Sequence, residues 1–394
     1  MKYINGGVCA AKGFKANGIH CGVRKNKDKK DLALIVSDVI CAAASVHTSN
    51  LVKGAPNIVT EKNLKDGKAQ AIICNSGNAN TCNANGIEIA EGMAKLVEDK
   101  LGILASNVVV GSTGVIGQEM TLTPFINGID ELIAGLGYDK SSDANQAIMT
   151  TDTKEKNVAV EFEIDGRICH VGGICKGSGM IHPNMATMLV FITTDVAISA
   201  EMLSKIIKED VKDSFNMVSV DGDTSTNDMM VILANGLAGN KEITTENENF
   251  LEFKKALAMC TQELCKKIAK DGEGATKLVE CEVFGAVDVI NAKKIAKSII
   301  MSNLVKAAMF GSDANWGRVL CAIGYSGAQV DINKVDVDFV SVEGSIAVCR
   351  NGAGIPFDED IAKKILLKDE ILIRVELKNG PGYAKAWGCD LTYD

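Results

Sequence analysis

A chain of 394 residues allows two or three domains of ordinary size, and its 46% hydrophobic and 23% charged residues are the balance of a folded protein, which excludes wholesale disorder. A formal net charge of −8 argues against nucleic acid or an anionic membrane as the main partner. The 38 Gly against 5 Pro point to many tight backbone passages.

The start, Met1-Lys2-Tyr3-Ile4-Asn5-Gly6, has no signal-peptide core. The apolar stretch 185–192 is far below the ~18 residues of a membrane span, so a soluble, cytoplasmic protein is expected. The lysine-rich run at 25–30 reads as a solvated loop. Next, Asn107-Val-Val-Val110 is a short apolar, strand-like run that stops at the glycine-rich turn Gly111-Ser112-Thr113-Gly114-Val115-Ile116-Gly117. A helix is expected after it, with Thr123 as N-cap, Pro124 in the first turn, an apolar face of Ile126, Ile129, Ile133 and Leu136, and Gly137 as its end.

A glycine-dense stretch at 171–180 then leads into a strand at 187–192 that reads as buried on both faces. Two amphipathic helices follow. One carries Leu203, Ile206, Ile207, Val211 and Phe215; the other runs over 250–270 with Phe253, Leu257, Leu264 and Ile268 on one face. The second stops at Asp271-Gly272-Glu273-Gly274, a loop that holds Glu273 in a fixed place. After about residue 285 the texture changes: Val335, Val337 and Phe339 alternate with Asp336 and Asp338, a half-buried strand. Asn379-Gly380 between the runs 371–377 and 383–391 predicts a hairpin. The last ~110 residues therefore read as a smaller α+β unit, and the chain as α/β with mixed sheets.

The 13 cysteines approach one another most closely in sequence at Cys260/Cys265, Cys169/Cys175 and Cys74/Cys82, so there is neither a C-x-x-C nor zinc-ribbon spacing. They read as reduced thiols that pack as small apolar groups. His20, His47, His170 and His182 are scattered, which leaves a Ser-His-Asp or Cys-His enzyme open without pointing to one. No metal site is expected.

The stretch 171–180 has two chemical readings. As a phosphate cradle it fits poorly, because Lys176 precedes the Gly177/Gly179 pair and a strand follows, whereas a P-loop opens a helix. The second reading makes Thr187 an N-terminal nucleophile. Its hydroxyl attacks the Ala186 carbonyl, the ester is hydrolysed, and the freed α-amino group, with an unperturbed pKa of ~7.7–8, serves as general base. On spacing alone, a Thr opening a buried strand is an ordinary β-branched strand former.

The segment Lys176-Gly-Ser-Gly-Met-Ile-His-Pro-Asn-Met-Ala-Thr-Met-Leu189 resembles the self-cleavage and nucleophile segment of the ornithine acetyltransferases, the glutamate N-acetyltransferases of arginine biosynthesis. Further segments occur in family order: Asn75-Ser-Gly-Asn-Ala-Asn80, Gly111-Ser-Thr-Gly114, Ala147-Ile-Met-Thr-Thr-Asp-Thr153, Ser219-Val-Asp-Gly-Asp-Thr-Ser-Thr-Asn-Asp228, Asp271-Gly-Glu-Gly-Ala-Thr276, Gly311-Ser-Asp-Ala-Asn-Trp-Gly-Arg318 and Ala386-Trp-Gly-Cys-Asp-Leu-Thr-Tyr393. The resemblance spans essentially the whole chain. It implies an α/β (α+β) fold of the type shared with N-terminal-nucleophile aminopeptidases, with a smaller C-terminal α+β domain. It also implies cleavage between Ala186 and Thr187, giving an α chain of 1–186 and a β chain with a core part at 187–284 and a C-terminal domain at 285–394. By the same resemblance Thr187 carries the acetyl group from N-acetyl-L-ornithine to L-glutamate, Thr113 and Gly114 form the oxyanion hole, and Thr153, Lys176, Thr187 and Glu273 contact substrate. No cofactor is implied, and acetyl-CoA stands open as a second acetyl donor. The α and β chains are expected to stay together and pair into an α2β2 or larger assembly, with small amino acids as substrates and no nucleic acid or membrane partner. The resemblance also implies a short closing segment after the Tyr393-Asp394 pair, whose Asn and terminal Ser or Thr contact substrate; the sequence stops at Asp394, so either it is cut short there or that part of the pocket is built differently.

For the other motifs structural roles are expected. The cluster at 75–80 reads as fold-fixing turns, Asp221 and Asp223 as holders of loop backbone rather than a D-x-D metal site, and His182 as incidental. Two alternatives to the acetyltransferase stand: an aminopeptidase or amidase on the same fold, and a non-catalytic small-molecule binding protein that is never cut.

Overall fold

The computed structural model describes residues 1–181 and 188–392. The chain divides into two compact units. The first takes residues 1–177, 183–215 and 224–264; the second takes 178–182, 216–223 and 265–394.

The first unit contains β1 (Lys2–Ile4), β2 (Phe14–Ile19), β3 (Leu32–His47), β4 (Lys68–Asn75), β5 (Val108–Ser112), β6 (Lys156–Ile164), β7 (Arg167–Lys176), β8 (Leu189–Thr194) and β9 (Met229–Ala234). They form one sheet in the order β1-β6-β7-β8-β9-β3-β4-β5, with β2 paired to β3. The helices are α1 (Ala55–Asn63), α2 (Gly86–Leu101), α3 (Thr123–Ala134), α4 (Ser141–Ile148), α5 (Ala200–Asp210) and α6 (Glu248–Lys270), the last belonging to this unit up to Leu264. The 16-residue strand β3 changes register between Val36 and Cys41; it pairs β2 and β4 before that point and mainly β9 after it.

Alternation along β3, β4 and β5 sends side chains to two different cores. Ala33, Ile35, Ile72, Cys74 and Val109 join Phe191, Met229 and Val231 in one. Leu32, Leu34, Ile73, Val108 and Val110 join Ile89, Met93, Phe125 and Ile129 of α2 and α3 in the other. Strands covered on both faces read as unbroken apolar runs, which is why 107–110 was visible as a strand. β8 is likewise interior, antiparallel to β7 and parallel to β9, and buried throughout.

The helix expected after β5 needs correcting. In α3 the buried stripe is Phe125, Ile129 and Leu132, while Ile126 is 53% exposed. Thr123 lies inside the helix, and Leu122 precedes it without a side-chain cap. The helix also stops earlier, at Ala134, and its C-cap Gly135 passes so close to Asn17 that a Cβ there would lie 2.3 Å from the Asn17 amide nitrogen. Gly137 instead exchanges backbone hydrogen bonds with Ala16 in β2. The glycine-dense stretch begins as strand β7, in keeping with its poor fit to a phosphate cradle. A Cβ at Gly172 would lie 1.9 Å from the Gly7 carbonyl oxygen, so that glycine serves close packing of another chain segment and not a phosphate.

The second unit contains β10 (Leu278–Ala286), α7 (Val289–Met301), α8 (Asn303–Phe310), α9 (Trp316–Gly324), β11 (Asp336–Ser341), β12 (Gly344–Arg350), β13 (Ala353–Gly354), α10 (Glu359–Leu366), β14 (Glu370–Glu376) and β15 (Gly382–Cys389). Val337 and Phe339 of β11 are fully buried, as their alternation with Asp336 and Asp338 predicts. Asp288, Ser302, Asn315 and Asp358 each accept a backbone N–H at the start of a helix.

The predicted hairpin does not form. The sheet order is β13-β12-β11-β14-β10-β15, so β10 lies between β14 and β15, parallel to one and antiparallel to the other. The link between them is 377–381, not a two-residue turn, and it is fastened to the end of β10: Leu377 N–H donates to Phe284 O at 2.9 Å and Asn379 N–H to Gly285 O at 2.7 Å. Asn379-Gly380 thus turns the chain around the end of a third strand. Among the described residues no helix is long and apolar enough to cross a membrane.

Candidate active site

Strand β5 ends in a turn that is zipped to the loop after β4. Thr113 N–H donates to Asn75 O at 3.0 Å, Val115 N–H to Gly77 O at 3.3 Å, and Ala79 N–H to Val115 O at 3.0 Å. Because the N–H groups of residues 113 and 115 both aim at the loop, that of Gly114 between them aims elsewhere. The Gly114 N–H and the Thr113 hydroxyl have no hydrogen-bond partner among the described residues. Gly114 is held at φ +131°, and a Cβ on it would lie 2.4 Å from Gly77 C and 2.6 Å from Asn78 N, so only glycine fits.

The loop itself is rigid. Asn75 Nδ2 donates to Asn78 O at 2.9 Å, Ser112 Oγ donates to Asn75 Oδ1 at 2.6 Å, Asn78 Nδ2 donates to Gln118 O at 3.1 Å, and Asn80 Nδ2 donates to Gly86 O at 2.9 Å. These are the fold-fixing turns expected for the cluster at 75–80.

Lys176 closes β7 and is 9% exposed. Its ammonium has no hydrogen-bond partner among the described residues. Its charge is felt by Asp152, Cys74 and Asp228. Burial alone would raise the Asp152 carboxyl, but Lys176, Lys156 and the Gly177 N–H together hold it at about 2. Asp152 Oδ1 accepts from Lys156 Nζ and from Gly177 N–H, each at 2.7 Å. It thereby ties the exposed Thr153 turn to the end of β7. Asp228, just before β9, is 2% exposed and its Oδ2 has no partner among the described residues. Burial pushes that carboxyl well above its ordinary value.

In the second unit, Glu273 is exposed in the loop that ends α6. Its N–H donates to Ser178 O at 3.1 Å, Ser178 Oγ donates to Asp271 O at 2.7 Å, and a Cβ on Gly179 would lie 2.0 Å from Glu273 Oε2. Asp221 accepts N–H bonds from Met180 at 2.5 Å and from Ile181 and Asp223 at 3.0 Å each. It holds loop backbone, as expected from its place in the motif. Among the described residues no group of three His, Cys, Asp or Glu could hold a metal ion. The buried thiols of Cys74, Cys260 and Cys281 are pushed upward by burial, which makes them poor nucleophiles.

The profile of the ArgJ family matches residues 15–394. The chain belongs to the ArgJ family. It is 50% identical over 382 residues to the arginine biosynthesis bifunctional protein ArgJ 1 of Clostridium acetobutylicum, covering 97% of this chain and 93% of that one. It is 48% identical over 395 residues to the ArgJ protein of Caldanaerobacter subterraneus subsp. tengcongensis, covering 100% and 98%. The crystal structure of the Bacillus halodurans ArgJ protein is 45% identical, with a TM-score of 0.49 over 52% of this chain and 94% of that one. This ArgJ-family chain is an acetyltransferase of arginine biosynthesis, and the acetyltransferase reading stands over the aminopeptidase alternative.

In ArgJ terms, Thr113, Gly114, Thr153 and Lys176 fall in the first unit and Glu273 in the second. The expected cleavage pair Ala186-Thr187, and His182, lie outside the described residues. Two supporting residues were not singled out from the sequence. Asp152 lies inside the quoted segment 147–153 and Asn227 inside 219–228. Their position within those segments was the signal available, since Gly177 lies 25 residues from Asp152 and Ala79, Thr81 and Ser112 lie more than a hundred residues from Asn227.

Proposed function

We propose that this ArgJ-family chain cuts itself between Ala186 and Thr187 and moves the acetyl group of N-acetyl-L-ornithine to L-glutamate through an acetyl-Thr187 intermediate. The cut frees the α-amino group of Thr187, whose unperturbed pKa of ~7.7–8 suits a general base near neutral pH. That amine takes the proton of the Thr187 hydroxyl as the oxygen attacks the acetyl carbonyl. Collapse of the tetrahedral intermediate breaks the C–N bond, and the proton leaves with the ornithine amine. The amine of glutamate then attacks the ester, returning the hydroxyl and forming N-acetylglutamate. Acetyl-CoA would enter at the first half-reaction, with its thiolate leaving in place of the amine.

The observation that carries this reading is the pair of unspent donors at the β5 turn. The Thr113 N–H, the Val115 N–H and the Ser112 hydroxyl are paired, yet the Thr113 hydroxyl and the Gly114 N–H have no partner among the described residues. Two preorganised donors supply an oxyanion hole, each worth ~3–4 kcal/mol of transition-state stabilisation. Lys176 offers an almost buried cation to an α-carboxylate, Thr153 a hydroxyl, and Glu273 a carboxylate to an ammonium. The cut chains are proposed to remain associated, in an α2β2 or larger assembly located in the cytoplasm.

The test is a mass spectrum after brief incubation with N-acetylornithine. The fragment beginning at Thr187 gains one acetyl group, and glutamate discharges it. An enzyme that gains no acetyl group, or loses it to water as fast as to glutamate, contradicts the proposal.

A further inference from the structure

We infer that Asn227 is a positioning residue for the Thr113/Gly114 donors, an inference that rests on their oxyanion-hole role proposed above. Asn227 lies two residues before β9 and is 5% exposed. Its amide uses its full hydrogen-bonding capacity. Nδ2 donates to Ala79 O at 2.5 Å and to Ser112 O at 3.0 Å. Oδ1 accepts from the hydroxyls of Thr81 and Thr226, each at 2.6 Å.

The Ser112 contact reaches the donor turn directly. The peptide joining Ser112 to Thr113 is planar, and both its polar ends are held. Its carbonyl accepts from Asn227, and its N–H donates to Asn75 O at 3.0 Å. A peptide plane held at both ends fixes where the Thr113 side chain and the following N–H of Gly114 can point. The Ala79 contact braces the facing loop, on which Gly114 rests with no room for a Cβ. Asn227 therefore joins the head of β9 to both halves of the turn, although more than a hundred residues separate it from either.

Gly54 gives a second route to the same amide. Its backbone, at φ −62° and ψ 145°, suits any residue, so glycine is not required for conformation. A Cβ there, however, would lie 2.7 Å from Asn227 Nδ2, 2.8 Å from Asn227 Oδ1 and 2.7 Å from Thr81 Oγ1. Gly54 thus leaves the space in which the Asn227 amide sits.

The test compares steady-state kinetics, per cut chain, for Thr113→Val, Asn227→Ala, the double variant and Gly54→Ala, each checked for folding by its melting curve. Thr113→Val removes one donor and is expected to lower kcat ~100-fold or more. Asn227→Ala is expected to lower kcat about 10–100-fold with KM changed less than about twofold, since the donors act in the transition state. The double variant is expected to fall no further than the worse single variant. Gly54→Ala is expected to repeat the kcat loss in milder form, and it replaces Asn227→Ala if that chain does not fold. If Thr113→Val lowers kcat while Asn227→Ala and Gly54→Ala leave it unchanged or raise only KM, the inference is overturned and the donor reading survives. The same holds if the losses of Thr113→Val and Asn227→Ala multiply in the double variant. Full activity in Thr113→Val overturns both.

Discussion

Asp152 and Lys156 meet at 2.7 Å with side-chain exposures of 0% and 1%. A charged pair so far from water is stable only as a pair, and Asp152 also holds the Gly177 N–H at the end of β7. Asp152→Asn removes the carboxylate from this buried pair and is predicted to cost ~3–5 kcal/mol in a denaturant titration. The carboxyl is depressed from 3.8 to about 2, so its contribution is present above pH ~4 and is lost as pH falls towards 2. The variant's stability should therefore change less with pH over that window than the parent's; equal slopes would remove Asp152 from this role.

Asp210 is the opposite case. Thr261 Oγ1 lies 3.1 Å from its Oδ1 and Ser214 Oγ lies 3.0 Å from its Oδ2, but each hydroxyl also has a backbone carbonyl within reach, Leu257 O at 3.0 Å and Asp210 O at 2.9 Å. Each hydroxyl has one proton, so a protonated Asp210 can donate to one of them and complete the network. Burial raises this carboxyl from 3.8 to about 7. The folded state then binds the extra proton, so stability declines as pH rises from ~4 through ~7. Asp210→Asn should remove that decline and leave the protein ~1–4 kcal/mol more stable than the parent at pH 8. Melting curves at pH 5 and pH 8 decide it; a parent more stable at pH 8 would contradict the assignment.

Gly114→Ala would place a Cβ 2.4 Å from backbone at a φ of +131°. The turn must open, which costs ~1–3 kcal/mol of strain and moves the N–H. A kcat loss of more than ~100-fold with a melting point still well above assay temperature is the expected result. Near-parental kcat would show that this N–H does not meet the developing charge.

Lys176→Met keeps the apolar stem and removes the ammonium. The expected effect is a KM for N-acetylornithine and glutamate raised ~10-fold or more, because hydrogen bonds to a charged group contribute ~1.5–3 kcal/mol. Unchanged KM for both substrates would take Lys176 out of the binding site.

Much of the secondary structure was legible because it follows local rules. α6 announced itself by Phe253, Leu257, Leu264 and Ile268, all fully buried, and β11 by its alternation. What failed was decided by distant residues. The stripe of α3 is rotated because Phe125 and Leu132, not Ile126, enter the core shared with Ile19 and Leu34, while Ile133 and Leu136 pack half-buried at its edge. The hairpin failed because β10, about ninety residues upstream of β14, is threaded between the two strands. At the site, the residue types and their order carried the family resemblance, but spacing alone gave no nucleophile. Asn227 was unreadable for the same reason as the strand order. A buried Asn between Thr226 and Asp228 looks like any turn residue until Ala79 and Ser112 are brought to it.

Acetyl transfer by this route requires Thr187 to become a chain start. An intact-mass spectrum of the purified protein under denaturing conditions, beside that of Thr187→Ala, tests this directly. Two fragments are expected for the parent, 1–186 and one beginning at Thr187, and one uncut chain for the variant. An uncut parent, or a variant cut at the same bond, would contradict it.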